Sequence, residues 1–281
     1  MAEWALPARP LVWPGHVALP GQESSLPAMP FPNVQLYRRP LHFIYLCDCS
    51  GSMQARGKIQ ALNQAIRASL PGMAGVARDN PEARLLVRVL TFADQARWHL
   101  AEPTPVEELE HRWSDLQAGG LTAMGQAMEL LAAALDPAVM DQRALPPVLV
   151  LISDGAPTDD YDVGLAALLR QPWARKAVRL ALAIGHDADE DDLQKFIGPV
   201  PSARSEAAGQ LGEEEPGRRP LQANDAGTLA RYIRWASTAV VGAASRPLSQ
   251  LGALSGAESP LPLPDLPPTL IDPIDTSLIV W

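Results

Sequence analysis

The stretch that most constrains this chain lies at 147–153, where Val148, Leu149, Val150, Leu151 and Ile152 follow one another without a polar residue. A strand with one wet face alternates between apolar and polar side chains. A strand covered on both faces is apolar at every position, so this run predicts a strand deep inside a parallel sheet. The segment 41–47 reads the same way, 84–92 is a Leu- and Val-rich strand, and 177–184 is another of parallel type. Helical periods fall between them. Residues 58–77 set Ile59, Leu62, Ile66, Leu70, Met73 and Val76 on one stripe, with Pro71 and Gly72 expected to kink it. Residues 122–135 carry Met124, Ala127, Met128, Leu131 and Leu135 on one face. Further helices are expected over 160–170, 189–197 and 226–241, the second capped by Asp189 with Asp192 in its first turn. A short edge strand is expected at 96–101 and a short helix at 106–116. Alternating strands and helices of this kind specify an α/β fold: a doubly wound, mostly parallel open sheet flanked by helices on both sides.

The ends of the chain read differently. Residues 1–40 hold eight prolines with Trp4 and Trp13 and no sustained period, which describes an extended arm. Two readings of it stand: a tryptophan-anchored arm that packs in places on the domain, or a floppy leader. From Arg246 the chain is proline-rich again through Pro260, Pro262, Pro264, Pro267 and Pro268, before ending in Ser277–Trp281. The partition is therefore an N-terminal arm (1–40), one domain (41–245) and a C-terminal tail (246–281). The tail can present Pro264-Asp-Leu-Pro267 and a terminal strand at 278–281 to a partner, or fold back on its own domain. Residues 199–220, with Glu213, Glu214 and Glu215, read as a solvated loop.

Hydrophobic residues at 47% suit a packed core, and a formal charge of -9 argues against nucleic acid or anionic lipid as a partner. No signal peptide or membrane-spanning run is visible, which makes the cytoplasm the default location. Cys47 and Cys49 stand two apart on one strand, with poor geometry for a disulfide and too few soft ligands for tetrahedral zinc. They read as two reduced, buried side chains.

Three segments bring oxygen atoms to loops that follow or precede core elements. The first is Asp48-Cys49-Ser50-Gly51-Ser52, directly after the first strand. The second is Gly119-Gly120-Leu121-Thr122, where glycines free the backbone and Thr122 opens a helix. The third is Ser153-Asp154-Gly155, ending the most apolar strand. In open α/β sheets ligands collect beyond the carboxyl ends of strands where strand order reverses. If the first and fourth strands adjoin there, Asp48 and Asp154 converge, and two such carboxylates repel unless protonated or bridged by a cation. Carboxylates and hydroxyls without histidine or thiolate favour a hard ion, Mg2+ or Mn2+.

Asp-x-Ser-x-Ser after a buried strand, a downstream Thr in a Gly-rich helix-start loop and a later Ser-Asp-Gly resemble the metal-ion-dependent adhesion site (MIDAS) of von Willebrand factor type A (vWA) domains. The resemblance covers about 41–241 and implies the Rossmann-like vWA fold. Residue by residue it implies that Ser50, Ser52 and Thr122 contribute hydroxyls, while Asp48 and Asp154 bind the metal directly or through water. It further implies that a Glu or Asp of a protein partner completes the coordination. Tyr37–Leu41, Leu90-Thr91-Phe92, Gly119–Gly125 and Asp154–Asp160 are similar to the bacterial TerY-like branch, associated with tellurite resistance and chemical stress. Cys49 and Leu121 depart from that branch, where an aliphatic and a small residue are expected. The resemblance implies a phosphatase, a kinase or another stress-operon protein as partner. A second reading is an accessory subunit of an AAA ATPase of the chelatase type.

Catalysis would require a base beside a metal-bound water. Of His42, His99, His111 and His186, only His186 follows a strand's carboxyl end, and loops commonly carry solvated histidines. No Gly-x-Ser-x-Gly elbow surrounds Ser50 and no Walker motif occurs. The expectation is recognition, not reaction.

Overall fold

Arg39–Asp48 (β1), Ala83–Phe92 (β2), Ala96–Pro105 (β3), Val148–Ser153 (β4), Val178–Ile184 (β5) and Leu221–Ala223 (β6) form one sheet in the computed structural model, which describes residues 38–186, 188–198, 219–245 and 263–264. The order is β3-β2-β1-β4-β5-β6. All pairs are parallel except β2 with β3, at one edge. The doubly wound sheet expected from the strand and helix pattern is present. The chain leaves β1 toward β2 and later returns to β4 on the other side of β1, where Cys47 pairs with Thr91 on one flank and Ile152 on the other. Strand order reverses at β1 and β4, and the loops leaving their carboxyl ends part there.

Every residue of β4 is buried, as is β1 from Leu41 to Asp48. Successive side chains take opposite faces of the sheet. Phe43, Tyr45 and Cys47 join one core with Leu62, Ile66 and Met73 of Lys58–Asp79 (α1) and with Leu229 and Ile233. Ile44 and Leu46 join the other with residues from Met124–Ala134 (α3), Tyr161–Arg170 (α4) and Glu190–Ile197 (α6). Val106–Arg112 (α2) follows β3, Pro172–Lys176 (α5) follows α4, and Ala226–Trp235 (α7) continues through a π-helical turn at Ala236–Val240 into Val241–Ala244 (α8).

α1 runs its 22 residues through Pro71, as the helical stripe over 58–77 predicts, and several other elements differ from expectation. Gly72 there serves close packing, because a Cβ would stand 3.0 Å from Thr238 Cγ2. β3 reaches Pro105, longer than the edge strand expected at 96–101, and α2 stops at Arg112, where Trp113 turns extended. The five-residue α5 and three-residue β6 are too short to show a period. Asp189 caps α6 as expected, accepting from the amides of Asp191 and Asp192. Of the tail only Leu263 and Pro264 are described, and Leu263 packs half-buried against the α1 core. Trp4, Trp13, residues 199–218, Pro267 and the terminal strand at 278–281 lie outside the described residues. No described helix is long and apolar enough to cross a membrane.

His42 is buried near the start of β1, with Arg88 and Asp141 nearby. Burial, reinforced by the charge of Arg88 and opposed by that of Asp141, lowers its pKa to about 4. The unfolded chain therefore binds this proton more tightly than the folded one. Stability attached to neutral His42 is present above the ordinary value of about 6.5 and is lost as pH falls from there toward 4. Between pH 7 and pH 4.5 this should cost wild type about 2 kcal/mol more than His42→Gln in urea unfolding. Equal losses in both proteins would refute it.

Candidate metal centre

Asp48 ends β1 with no solvent exposure. The Cys49 amide still donates to Phe92 O at 2.8 Å, so the sheet ladder holds the backbone just where the loop begins. Ser50 is extended, and its amide donates to Asp48 Oδ1 at 2.8 Å. Gly51–Gly57 then winds as a 3-10 turn. Arg56 (φ 52°) and Gly57 (φ 73°), both left-handed, redirect the chain into α1. Within this turn the hydroxyls converge: Ser50 Oγ lies 2.9 Å from Ser52 Oγ.

The glycine loop is stitched to this one by its backbone. Gly119 N donates to Cys49 O at 2.8 Å and Gly51 N to Gly120 O at 2.9 Å. Gly120 has φ 86°, and a Cβ there would fall 2.5 Å from Asp94 Oδ1, the atom that accepts from Leu121 N at 3.0 Å. Thr122 is buried, its amide donating to Thr158 Oγ1 and its carbonyl accepting from Thr158 N. It is not the helix cap expected. α3 starts at Met124 after Ala123, and Asp159 accepts from the amides of Gly125 (2.8 Å) and Gln126 (2.9 Å). Among the described residues the Thr122 hydroxyl takes no hydrogen-bond partner. Leu121 beside it is 60% exposed.

From β4, Ser153 Oγ donates to Asp48 Oδ2 at 2.5 Å. Asp154 is buried, its Oδ1 accepting from Ser52 Oγ at 2.6 Å and its Oδ2 from Lys58 Nζ at 2.7 Å. A chain of short hydrogen bonds thus joins Ser50, Ser52 and Asp154, with Asp48 bonded to the Ser50 amide and the Ser153 hydroxyl. Thr122 is held by the Thr158 hydroxyl and amide, outside this chain of hydrogen bonds. Ser52 is exposed, so the cluster opens to solvent on that side.

Burial raises the pKa of Asp48; hydrogen bonds from Ser153 and Ser50 counter it, and the charge of Asp154 adds to it. Both oxygens of Asp48 meet donors, but among the described residues neither meets a cationic side chain. A buried anion in that position is costly, and a divalent cation is a fitting counter-charge. The donor set suits a hard ion. Burial and the neighbouring Asp48 push the Cys49 thiol up to about 12, and burial pushes Cys47 well above its usual value, so both are protonated and poor ligands. Both are free and buried, in line with the sequence reading. Among the described residues no three of His, Cys, Asp and Glu gather around a common point, so a cation here must rely on hydroxyls. No described histidine hydrogen-bonds to these residues: His99 pairs with Ser114, and His186 is exposed.

The contacts made by Lys58, Thr158, Asp159 and Asp94 escaped the sequence reading, as did the bond from Ser153 to Asp48. Lys58 had a signal. A helix N-terminus disfavours cations, and α1 begins with a lysine and no acid in its first turn. Its pairing with Asp154, 96 residues away, has no sequence signature.

Residues 43–156 match the family model of the von Willebrand factor type A domain, and with the sheet topology this identifies a vWA domain in the chain. Proximal thread matrix protein 1 from the mussel byssus superposes with a TM-score of 0.52 at 14% identity, over 72% of this chain and 48% of its own. A second structure of that protein, with a zinc-occupied MIDAS motif, gives the same values. A von Willebrand factor type A protein from Catenulispora acidiphila matches at 20% identity and a TM-score of 0.48, over 72% of this chain and 42% of its own. The match thus spans less than half the length of each of these proteins. Among curated proteins none matches. At these identities the likeness establishes the fold.

Proposed function

We propose that Asp48, Ser50, Ser52, Thr122 and Asp154 hold a divalent cation, Mg2+ or Mn2+, and that the site recognises a Glu or Asp side chain of a protein partner. The observation that carries this is the buried Asp48 carboxylate, without a cationic neighbour, set beside Asp154 among converging hydroxyls at the strand-order reversal. When bound, the ion supplies a coordination position for an anionic oxygen. The chain's own part is rigidity. The Cys49 to Gly119 and Gly51 to Gly120 hydrogen bonds lock two ligand loops together, while Ser153 and Ser52 orient the two carboxylates.

That a mussel protein of this fold has a zinc-occupied MIDAS motif supports a cation at such a position. The absence of imidazole and thiolate from the donor set favours a harder ion in this chain. Recognition is favoured over catalysis because no described histidine contacts the cluster. The domain takes residues 41–245, with proline-rich flanks at 1–40 and 246–281. The Tyr37–Leu41, Leu90–Phe92, Gly119–Gly125 and Asp154–Asp160 motifs support a TerY-like role in bacterial stress, with a phosphatase, kinase or other operon product as partner.

Affinity capture from cell extract should recover a partner set with wild type in Mg2+ that disappears both in EDTA and with Asp48→Ala. Identical sets under all these conditions would refute the proposal.

A further inference from the structure

Among the described residues only four titratable or charged side chains of Asp, Glu, Lys, Arg and His are buried: His42, Asp48, Lys58 and Asp154. The last three belong to one cluster. Lys58 is 5% exposed and Asp154 1%, and they meet at 2.7 Å. A buried ammonium is retained against its desolvation cost only where it answers a charge. The formal sum of these three groups is -1, so a divalent ion would bring the centre to +1. Without Lys58 the same centre would be neutral, and an arriving carboxylate would leave a net negative charge in a poorly solvated place.

Building on the metal reading above, we propose that Lys58 is the residue that makes this centre select an anionic partner: it weakens the hold on the cation itself and leaves one positive charge for the partner's carboxylate to neutralise. Geometry supports the division of labour. Lys58 engages Asp154 Oδ2 and leaves Oδ1 to Ser52. Asp48 has no such cation, so the two carboxylates are unequal, one screened and one open to the metal. The position on α1 also matters, because the first turn of a helix adds partial positive charge from its free amides.

The test uses the full chain with Mn2+ as the probe metal. Calorimetry reads metal affinity, and water-proton relaxation reads displacement of metal-bound water by acetate. K58Q keeps a donor for Asp154 Oδ2 but removes the charge; K58R keeps both. K58Q should bind Mn2+ roughly tenfold more tightly and acetate roughly tenfold more weakly than wild type, since a unit charge a few ångströms away is worth at least that much. K58R should stay close to wild type in both. Opposite signs for metal and anion separate this role from simple structural support, which would weaken both together.

Mn2+ affinity unchanged or weaker in folded K58Q, or acetate affinity unchanged, overturns the role of Lys58 and leaves the metal site standing. No Mn2+ binding by wild type overturns the metal reading and this one with it. Should K58Q not fold, wild type still decides: loaded with Mn2+, it must prefer acetate to the neutral isostere acetamide by roughly tenfold, as a net positive centre requires. Equal affinity for the two overturns the proposal.

Discussion

Gly164→Ala is expected to lower the melting temperature by about 10 °C, a loss of about 3 kcal/mol in a domain of this size. α3 and α4 cross at two glycines. A Cβ on Gly164 would fall far inside van der Waals contact distance of the Gly125 carbonyl oxygen, and one on Gly125 would stand 2.7 Å from the Asp160 carbonyl oxygen. Backbone cannot swing aside as the end of a long side chain can, so the helices must part and open the core around Met128 and Leu165. The effect should reach the candidate site, because Asp159 at the start of α4 caps α3. Gly75→Ala in α1 is the matched comparison. Its new Cβ would meet only Arg78 Nη2, at 3.9 Å, and helix propensity then predicts a gain of about 0.5–1 kcal/mol. Thermal melts of both variants check the pair. A small loss at Gly164, comparable to an ordinary surface change, would mean that the helices do not approach as described.

Asp48→Asn is expected to separate stability from metal binding. The amide fits the existing contacts: its oxygen accepts from Ser50 N, and its nitrogen donates to Ser153 Oγ, whose proton can turn to Gly155 O at 3.2 Å. Burial raises the pKa of the Asp48 carboxyl in the metal-free protein, so its ionised form costs stability at neutral pH, and the neutral amide avoids that cost. In EDTA the variant should therefore melt at or above wild type. Saturating Mn2+ should raise wild type by about 3 kcal/mol of stability at a hundredfold excess over its dissociation constant, and should leave Asp48→Asn unmoved. A metal-dependent rise that survives in the variant would place the ion elsewhere. A variant that melts well below wild type in EDTA would show that the charge stabilises the fold in its own right.

The largely apolar strands at 41–47 and 147–153 announced a sheet covered on both faces, because burial on two sides makes each polar residue costly. Their local pattern needed no partner to be read. Asp48 and Asp154 were legible for a related reason: a carboxylate that ends such a strand stands out against it. What escaped was set by contacts between distant segments. The helix through Pro71 was legible, but the packing of Gly72 against Thr238 was not. Thr122 reads locally as a cap, but Asp159 arrives from another loop to hold the α3 amides.

The sequence by itself determined the layer architecture and the three oxygen-bearing loops, since periodicity and strand-end chemistry are local properties of the chain. Only the tertiary structure decided how those loops combine. It put β1 against β4, bonded the Gly119 and Gly120 backbone to the Asp48 loop, and brought Lys58 to Asp154 across 96 residues. Those pairings depend on which surfaces bury one another, and burial turns a surface lysine and two ordinary aspartates into a charged centre.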